Sequence, residues 1–159
     1  MEAQGYIQKM IEVSKEKLAL LEELLSLSKS QNESARAGRF EELGTLLPRK
    51  QGRMDAIDKL DEQFVTYSQK VKSVLSLDSF EGLAKYDIPG TAELKELVSR
   101  IHQKLTDIKA ADDESTALVK AELRETKGRI DHTNKFRRVT GAYYPVKNEA
   151  PSYYFDRKK

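Results

Sequence analysis

The segment from Thr91 to Arg138 constrains the fold more than any other part of the chain. Apolar side chains recur there at steps of three, four and seven residues, which places them along one face of an α-helix. They are Leu94, Leu97, Val98, Ile101, Leu105, Ile108, Leu118, Leu123 and Ile130. No proline interrupts the segment, so one continuous helix would be roughly 70 Å long at about 1.5 Å per residue. Such a helix needs other helices, a second copy of the chain or a partner to cover its apolar stripe.

Two earlier segments have the same period and predict helices near residues 3–37 and 39–75. The first stripe comprises Ile7, Met10, Ile11, Leu18, Leu21, Leu24, Leu25 and Ser28. The second comprises Phe40, Leu43, Leu47, Met54, Ile57, Leu60, Phe64, Tyr67, Val71 and Val74. Gly38 is expected just past the end of the first helix, because glycine adopts the left-handed conformation without a Cβ penalty. The first stripe turns polar after Leu27, with Ser28, Gln31 and Asn32, and we expect thin packing there.

Pro48 raises a question about the second helix. Proline removes a backbone donor and disfavours helical geometry at the preceding residue, and Gly44 and Gly52 weaken the same region. We therefore expect a kink or a break near residues 44–48. The alternative is a short helix over 40–46 and a new helix with Pro48 at its first position.

Residues 76–90 are predicted to connect the second helix to the third. Asp78 or Ser79 is expected to cap a short helical turn, and Thr91 is expected to be the N-cap of the third helix. Charged residues make up 34% of the chain, which is typical of long amphipathic helices. The predicted fold is all-α, an elongated antiparallel bundle or coiled coil of three long helices. The helical domain covers residues 1–138, and an irregular aromatic tail covers residues 139–159.

Residue types needed for catalysis or metal binding do not occur at workable spacing. The chain has no cysteine, and neither His102 nor His132 lies in a Glu-x-x-His pair. Asp112, Asp113 and Glu114 point about 100° apart on a helix, so they are expected to form a solvated face rather than a cation site. We therefore predict no enzyme activity, no cofactor and no metal. No apolar run approaches about 20 residues and the first residues do not look like a signal peptide, which argues against membrane insertion and is compatible with the cytoplasm.

The C-terminal end is basic and aromatic. Residues 127–159 hold nine Lys or Arg against three acidic residues, a net charge of +6. Such an end could attract an acidic protein, a membrane surface or nucleic acid. One alternative function is single-stranded nucleic-acid binding, although the chain has no RNA-binding fold signature and the excess charge is small. Another is a purely structural coiled-coil homodimer.

Two stretches carry a resemblance to a known family. The first runs Ala37-Gly38-Arg39-Phe40-Glu41-Glu42-Leu43 and is followed by Lys50-Gln51; the second comprises NKFRRVTGAYYP (134–145) and YYFDRKK (153–159). Together they resemble FlgN-type flagellar export chaperones, although Pro48 and Gly52 depart from the usual pattern of the second helix. The resemblance implies a cytoplasmic type III secretion chaperone. Such a protein binds C-terminal helical segments of the hook–filament junction (hook-associated) proteins, prevents their early assembly and delivers them to the export gate.

We place the cargo site on the C-terminal half of the third helix, because shorter partner helices would leave that part uncovered. Its apolar residues are Leu118, Leu123, Ile130 and Phe136, and its basic rim comprises Lys127, Arg129, Lys135, Arg137 and Arg138. Five aromatic residues of the tail are expected to dock on cargo or on the export gate. They are Tyr143, Tyr144, Tyr153, Tyr154 and Phe155. The alternative is a tail folded back over apolar helix surface in the free protein.

Overall fold

Three long helices form the part of the chain that the structure describes. A computed structural model describes residues 2–125. Helix α1 spans Ala3–Arg36, α2 spans Phe40–Leu75 and α3 spans Thr91–Glu125, with a 3₁₀ helix at Phe80–Lys85 between α2 and α3. No strand occurs among residues 2–125, so the predicted all-α class is confirmed. The predicted helix end at residue 138 and the tail over 139–159 lie outside the described residues.

Helix α1 lies between the other two helices. Its contacts pair early α1 residues with late α2 residues, as Lys17 with Asp61, so α1 and α2 are antiparallel. Contacts between α1 and α3 run in the same order along both helices, from Lys15 with Glu93 to Ser28 with Asp112, so these two are parallel. Helices α2 and α3 approach each other less closely than either approaches α1. The arrangement is an up–down–up bundle, in which consecutive helices are antiparallel.

The turn between α1 and α2 ends the first helix as predicted. Gly38 has a φ of 73°, in the left-handed region. The amide of Arg39 donates to the carbonyl of Ser34 at 2.8 Å, and the amide of Gly38 donates to that of Ala35 at 3.2 Å. These two bonds form a Schellman motif, which satisfies carbonyl groups of the last helical turn.

Helix α2 is continuous through Pro48, so the predicted break and the alternative of two helices are wrong, while the predicted kink stays a prediction. The proline removes the bond that its amide would donate to the carbonyl of Gly44. Both residues are solvent-exposed, so water can satisfy that carbonyl. Buried residues lie on either side of the proline and pack the helix into the bundle, namely Leu43, Leu46, Leu47, Lys50 and Met54. Val74, assigned to the stripe from the sequence, is half exposed.

The connection from α2 to α3 follows the predicted pattern with one correction. Ser79 caps the 3₁₀ helix, because its hydroxyl accepts a hydrogen bond from the amide of Glu81 at 3.2 Å. Thr91 is not the N-cap of α3 but a residue of its first turn, and its hydroxyl donates to the carbonyl of Ile88 at 2.8 Å. Gly90, with a φ of 95°, takes the N-cap position instead, because its carbonyl accepts from the amide of Leu94 at 2.9 Å. The helix therefore begins one residue earlier than the cap assignment required.

The core consists of two apolar clusters of unequal size. The larger one, the main cluster, joins α1 and α3 over most of their length with α2 from Met54 onward. Its most deeply buried members are Ile7, Met10, Ile11, Leu21, Ile57, Val71 and Ile101. The smaller one, the tip cluster, lies beside the α1–α2 turn and consists of Ala35, Phe40, Leu43 and Val119.

Replacing Pro48 by alanine should stabilise the protein. Proline in a helix interior is about 3 kcal/mol less favourable than alanine, and exposure of this site means that no packing contact is lost. Thermal unfolding followed by circular dichroism should show a rise in Tm of several degrees. Gly52→Ala is the matched control on the same helix, since a Cβ there meets nothing within 4 Å and only the helix propensity of about 1 kcal/mol changes. An unchanged or lower Tm for Pro48→Ala would contradict an interior position for the proline.

Candidate functional site

The two ends of α3 show that it is shifted along α1. At its start, a Cβ on Gly90 would lie 3.0 Å from Cδ1 of Ile11, so α3 begins beside the third turn of α1. At the other end, Val119 packs with Ala35 in the last turn of α1. Since α1 ends at Arg36, residues 120–125 extend past it by about 9 Å at 1.5 Å per residue.

Within the described residues the overhang follows from axial position. Helices α1, α2 and the described part of α3 contain 34, 36 and 35 residues, so the shift of α3 along α1 is enough to place residues 120–125 beyond Arg36. The expectation that a longer third helix leaves its C-terminal half uncovered concerns residues up to 138, lies largely outside the described part of the chain and stays a prediction.

Two of the predicted cargo residues can be located. Leu118 and Leu123 are half-buried, and both pack against the tip cluster. The fully buried residue in this part of α3 is Val119, which the sequence pattern missed because the stripe was continued through Leu118. Outside the described residues lie Ile130, Phe136, the basic residues Lys127, Arg129, Lys135, Arg137 and Arg138, and the aromatic residues Tyr143, Tyr144, Tyr153, Tyr154 and Phe155.

A layer of buried polar side chains separates the tip cluster from the main cluster. We call it the polar layer, and it consists of Ser28, Gln31, Asn32, Lys50, Asp112 and Ser115, each at most 6% exposed.

Lys50 joins the three helices at the centre of the polar layer. Its ammonium donates to Oε1 of Gln31 at 2.7 Å and to Oδ1 of Asp112 at 2.8 Å. The hydroxyl of Ser28 donates to the same Asp112 oxygen at 2.8 Å. A buried charge is tolerated when it is paired and hydrogen-bonded, and both conditions hold here.

Asn32 continues the polar layer along α1 and α3. Its side-chain amide donates to the carbonyl of Ala111 at 3.1 Å and to Oε2 of Glu114 at 3.0 Å, while its Oδ1 accepts from the Ser115 hydroxyl. At the solvent edge Arg36 forms an ion pair with Glu114. The C-terminal end of α1 is thus held to α3 mainly by hydrogen bonds.

Two expectations from the sequence are wrong at this layer. The polar end of the α1 stripe is not thinly packed, because Ser28, Gln31 and Asn32 are among the most buried side chains of the described chain. Asp112 does not belong to a solvated face; only Asp113 and Glu114 are exposed. A signal was present, since Ser28, Gln31, Asn32, Lys50 and Asp112 all lie at stripe positions of their helices, where a polar residue predicts a buried network.

Polar side chains also tie the turn beside the tip cluster. The hydroxyl of Ser34 donates to Oε2 of Glu42 at 2.7 Å, and the Arg39 guanidinium contacts the other carboxylate oxygen at 3.1 Å. The Ser34 hydrogen bond holds the pKa of Glu42 below its usual value; partial desolvation opposes this and the charge of Arg39 reinforces it. These contacts stabilise the turn between α1 and α2, which we call the hairpin tip, and α3 packs against it.

The described residues offer no assembled reaction centre. Over residues 2–125 no three metal-ligating side chains come together, and His102 is exposed on the outer face of α3. None of the helices within that range is long and apolar enough to span a membrane. The arrangement is suited to binding another chain, because the end of α3 extends beyond the α1–α2 turn and its apolar side chains Leu118 and Leu123 are only partly covered.

Comparison with protein families identifies the chain. The model of the family described as FlgN protein matches residues 1–148. The chain belongs to the FlgN family. FlgN proteins are flagellar export chaperones, and their known partners are flagellar hook-associated proteins. No curated protein and no solved structure gives a significant match to the chain. The predicted resemblance to FlgN-type chaperones is confirmed; the match includes the Ala37–Leu43 segment and residues 134–145, whereas residues 153–159 lie outside it.

Removal of Lys50 from this FlgN protein should be strongly destabilising. Lys50→Met leaves Asp112 buried without its cation, and breaking a buried pair in this way costs about 3–5 kcal/mol. Urea unfolding should show that loss, and the double variant Lys50→Met with Asp112→Leu should recover much of it. The matched control is Lys109→Met, which breaks the exposed pair with Asp113 and should cost less than about 1 kcal/mol. If the double variant is no more stable than Lys50→Met alone, the loss of stability does not come from the unpaired charge of Asp112.

Proposed function

We propose that this FlgN-family protein is a cytoplasmic export chaperone for hook–filament junction proteins. It binds the C-terminal helical segment of such a protein, prevents that segment from assembling early and carries the subunit to the type III export gate. The class of chaperone follows from the family; the cargo segment, the site and the delivery step are the proposal.

The observation that carries the proposal is the overhang of α3 past the α1–α2 turn. Leu118 and Leu123 lie there, half-buried against the tip cluster, while the rest of the α3 stripe is covered by α1 and α2. An amphipathic cargo helix could complete the burial of these side chains by packing along the same stripe. Partly covered apolar surface of this kind usually marks a binding site.

The site extends along the sequence beyond the described residues. Ile130 follows Leu123 by seven positions, and Phe136 lies further along the same predicted stripe. The basic residues Lys127, Arg129, Lys135, Arg137 and Arg138 would surround this surface and steer an acidic cargo segment toward it. The aromatic tail, from Tyr143 to Phe155, would close over the bound segment or contact the gate.

Release is part of an export chaperone's task, and the proposed binding mode provides for it. A cargo segment that is disordered when free loses conformational entropy when it folds on the chaperone. That loss offsets part of the favourable burial and keeps the affinity moderate. Handover to the export gate then needs only modest competing contacts.

The double variant Leu123→Ala with Ile130→Ala should weaken cargo binding by roughly 2–4 kcal/mol, if both side chains are buried interface anchors. The measurement is isothermal titration calorimetry against a C-terminal peptide of a junction protein. The matched control is Val65→Ala with Val74→Ala, because these two α2 side chains are about half exposed and far from the overhang.

Circular dichroism and thermal unfolding should accompany the titration, since Leu123 also packs on the tip cluster. Near-native helix content with lost affinity supports the site. Unaltered affinity, or a variant that simply unfolds, would show that these residues belong to the core and that cargo binds elsewhere.

A further inference from the structure

The polar layer divides the attachment of α3 into two unequal parts. From Leu94 to Ala111, α3 is held by the main cluster, which contributes most of the apolar burial of the bundle. From Asp112 onward it is held by the polar layer and by the small tip cluster. We call residues 112–125 the distal segment.

Opening of the distal segment exposes little apolar surface. Val119 is its one buried apolar side chain within the described range, and Leu118 and Leu123 are already partly exposed. The hydrogen bonds of Asn32 and Ser115 can be exchanged for bonds to water, so their net contribution to closure is small. Opening also separates the buried Lys50–Asp112 pair, so the main cost of opening is electrostatic, and an incoming carboxylate would remove that cost. Proteins open first where buried apolar contacts are few. The distal segment meets this condition, whereas residues 94–111 do not.

We propose that the distal segment swings away from the hairpin tip at the polar layer, and that an acidic amphipathic helix of the cargo takes its place on the tip. The groove so exposed is lined by Ala35, Phe40 and Leu43. The proposal rests on the proposed function and adds a second contact surface to it, on α1 and α2. In the free protein α3 occupies its own cargo groove, so the closed bundle is autoinhibited.

The chemistry of the occupant follows from what α3 supplies in the closed form. The hairpin side presents two cations, Lys50 and Arg36, which α3 meets with Asp112 and Glu114. Val119 then fills the tip cluster seven residues after Asp112, on the same helix face. A replacing helix has to offer the same pattern, with carboxylates at the polar layer and an apolar side chain two turns further on. Basic or neutral helices would leave Lys50 buried without a counter-charge.

The absence of cysteine from this sequence allows the opening to be controlled by engineered cysteine pairs. Two exposed ion pairs join α1 to α3 near the two ends of α3. Arg36→Cys with Glu114→Cys, joined through a reducible disulfide-containing crosslinker that spans the two replaced side chains, locks the distal segment, and Lys15→Cys with Glu93→Cys joined in the same way, the matched control, locks the opposite end. The crosslinked form is called oxidised and the form cleaved by a reductant is called reduced. The oxidised distal lock should bind a C-terminal junction-protein peptide at least tenfold more weakly than its own reduced form. The oxidised control lock should bind within about twofold of its reduced form.

Hydrogen exchange on the same two proteins tests the opening without any cargo. The distal crosslink should slow amide exchange over residues 112–119 at least tenfold, and the control crosslink should not. Equal exchange in both oxidised proteins would overturn the opening. Equal peptide affinity of the oxidised and reduced distal locks would overturn the replacement.

Two further outcomes separate this inference from the proposed function. If no form of the protein binds a junction-protein peptide, the proposed function fails, while the exchange data still decide whether the distal segment opens. If light scattering shows that the reduced protein dimerises through this segment and the oxidised distal lock does not, the occupant is a second copy of the chain. That result would overturn cargo as the replacing helix.

Discussion

The Lys50 ammonium, held between Gln31 of α1 and Asp112 of α3, is the interaction on which the shape of this FlgN protein depends. Apolar contacts between helices tolerate sliding, because one leucine can replace another in the same groove. A buried cation tolerates no such shift, since moving α3 by one turn would leave Lys50 and Asp112 without each other. The pair therefore fixes the axial position of α3 on the α1–α2 hairpin. At that position, residues 120–125 of α3 extend past the α1–α2 turn.

Helix α1 makes this arrangement possible by burying an unusually wide face. Its central line carries Met10, Ser14, Leu21, Ser28 and Ala35, all buried, and three of these are small. Small side chains let α2 and α3 approach α1 closely on its two sides. The α2–α3 contact is then left to long side chains, of which Lys50 is one. Close packing on α1 and a polar bridge between its neighbours are thus two consequences of one sequence pattern.

Helix α3 is held by apolar packing over residues 94–111 and mainly by polar contacts from Asp112 onward. This division suits a protein that must bind a cargo segment and release it. Residues 94–111 share the main cluster and keep the bundle folded whatever happens at the tip. The distal segment is held by the buried polar layer and by few apolar side chains, so its detachment exposes little of the apolar core but separates Lys50 from Asp112. Binding sites are drawn from regions of low local stability, and here the polar layer defines where that region begins.

Helix periodicity in the sequence determined the three helices. Turn chemistry determined where α1 ends, at Gly38, where the 3₁₀ helix begins, at Ser79, and where α3 begins, after Ile88-Pro89-Gly90. The motif around Ala37–Leu43 pointed to the family. These features are local, so neighbouring residues suffice to specify them. Only the tertiary structure decided that Pro48 lies inside one helix, that Asp112 is buried while Asp113 is exposed, and that Val119 rather than Leu118 fills the tip cluster. Placement of the site beyond residue 125 stays a prediction. A helical pattern shows that a face is buried but not how far one helix is shifted along another. That shift is set here by hydrogen bonds such as Ser28 to Asp112, between residues 84 positions apart, and no local rule connects such residues.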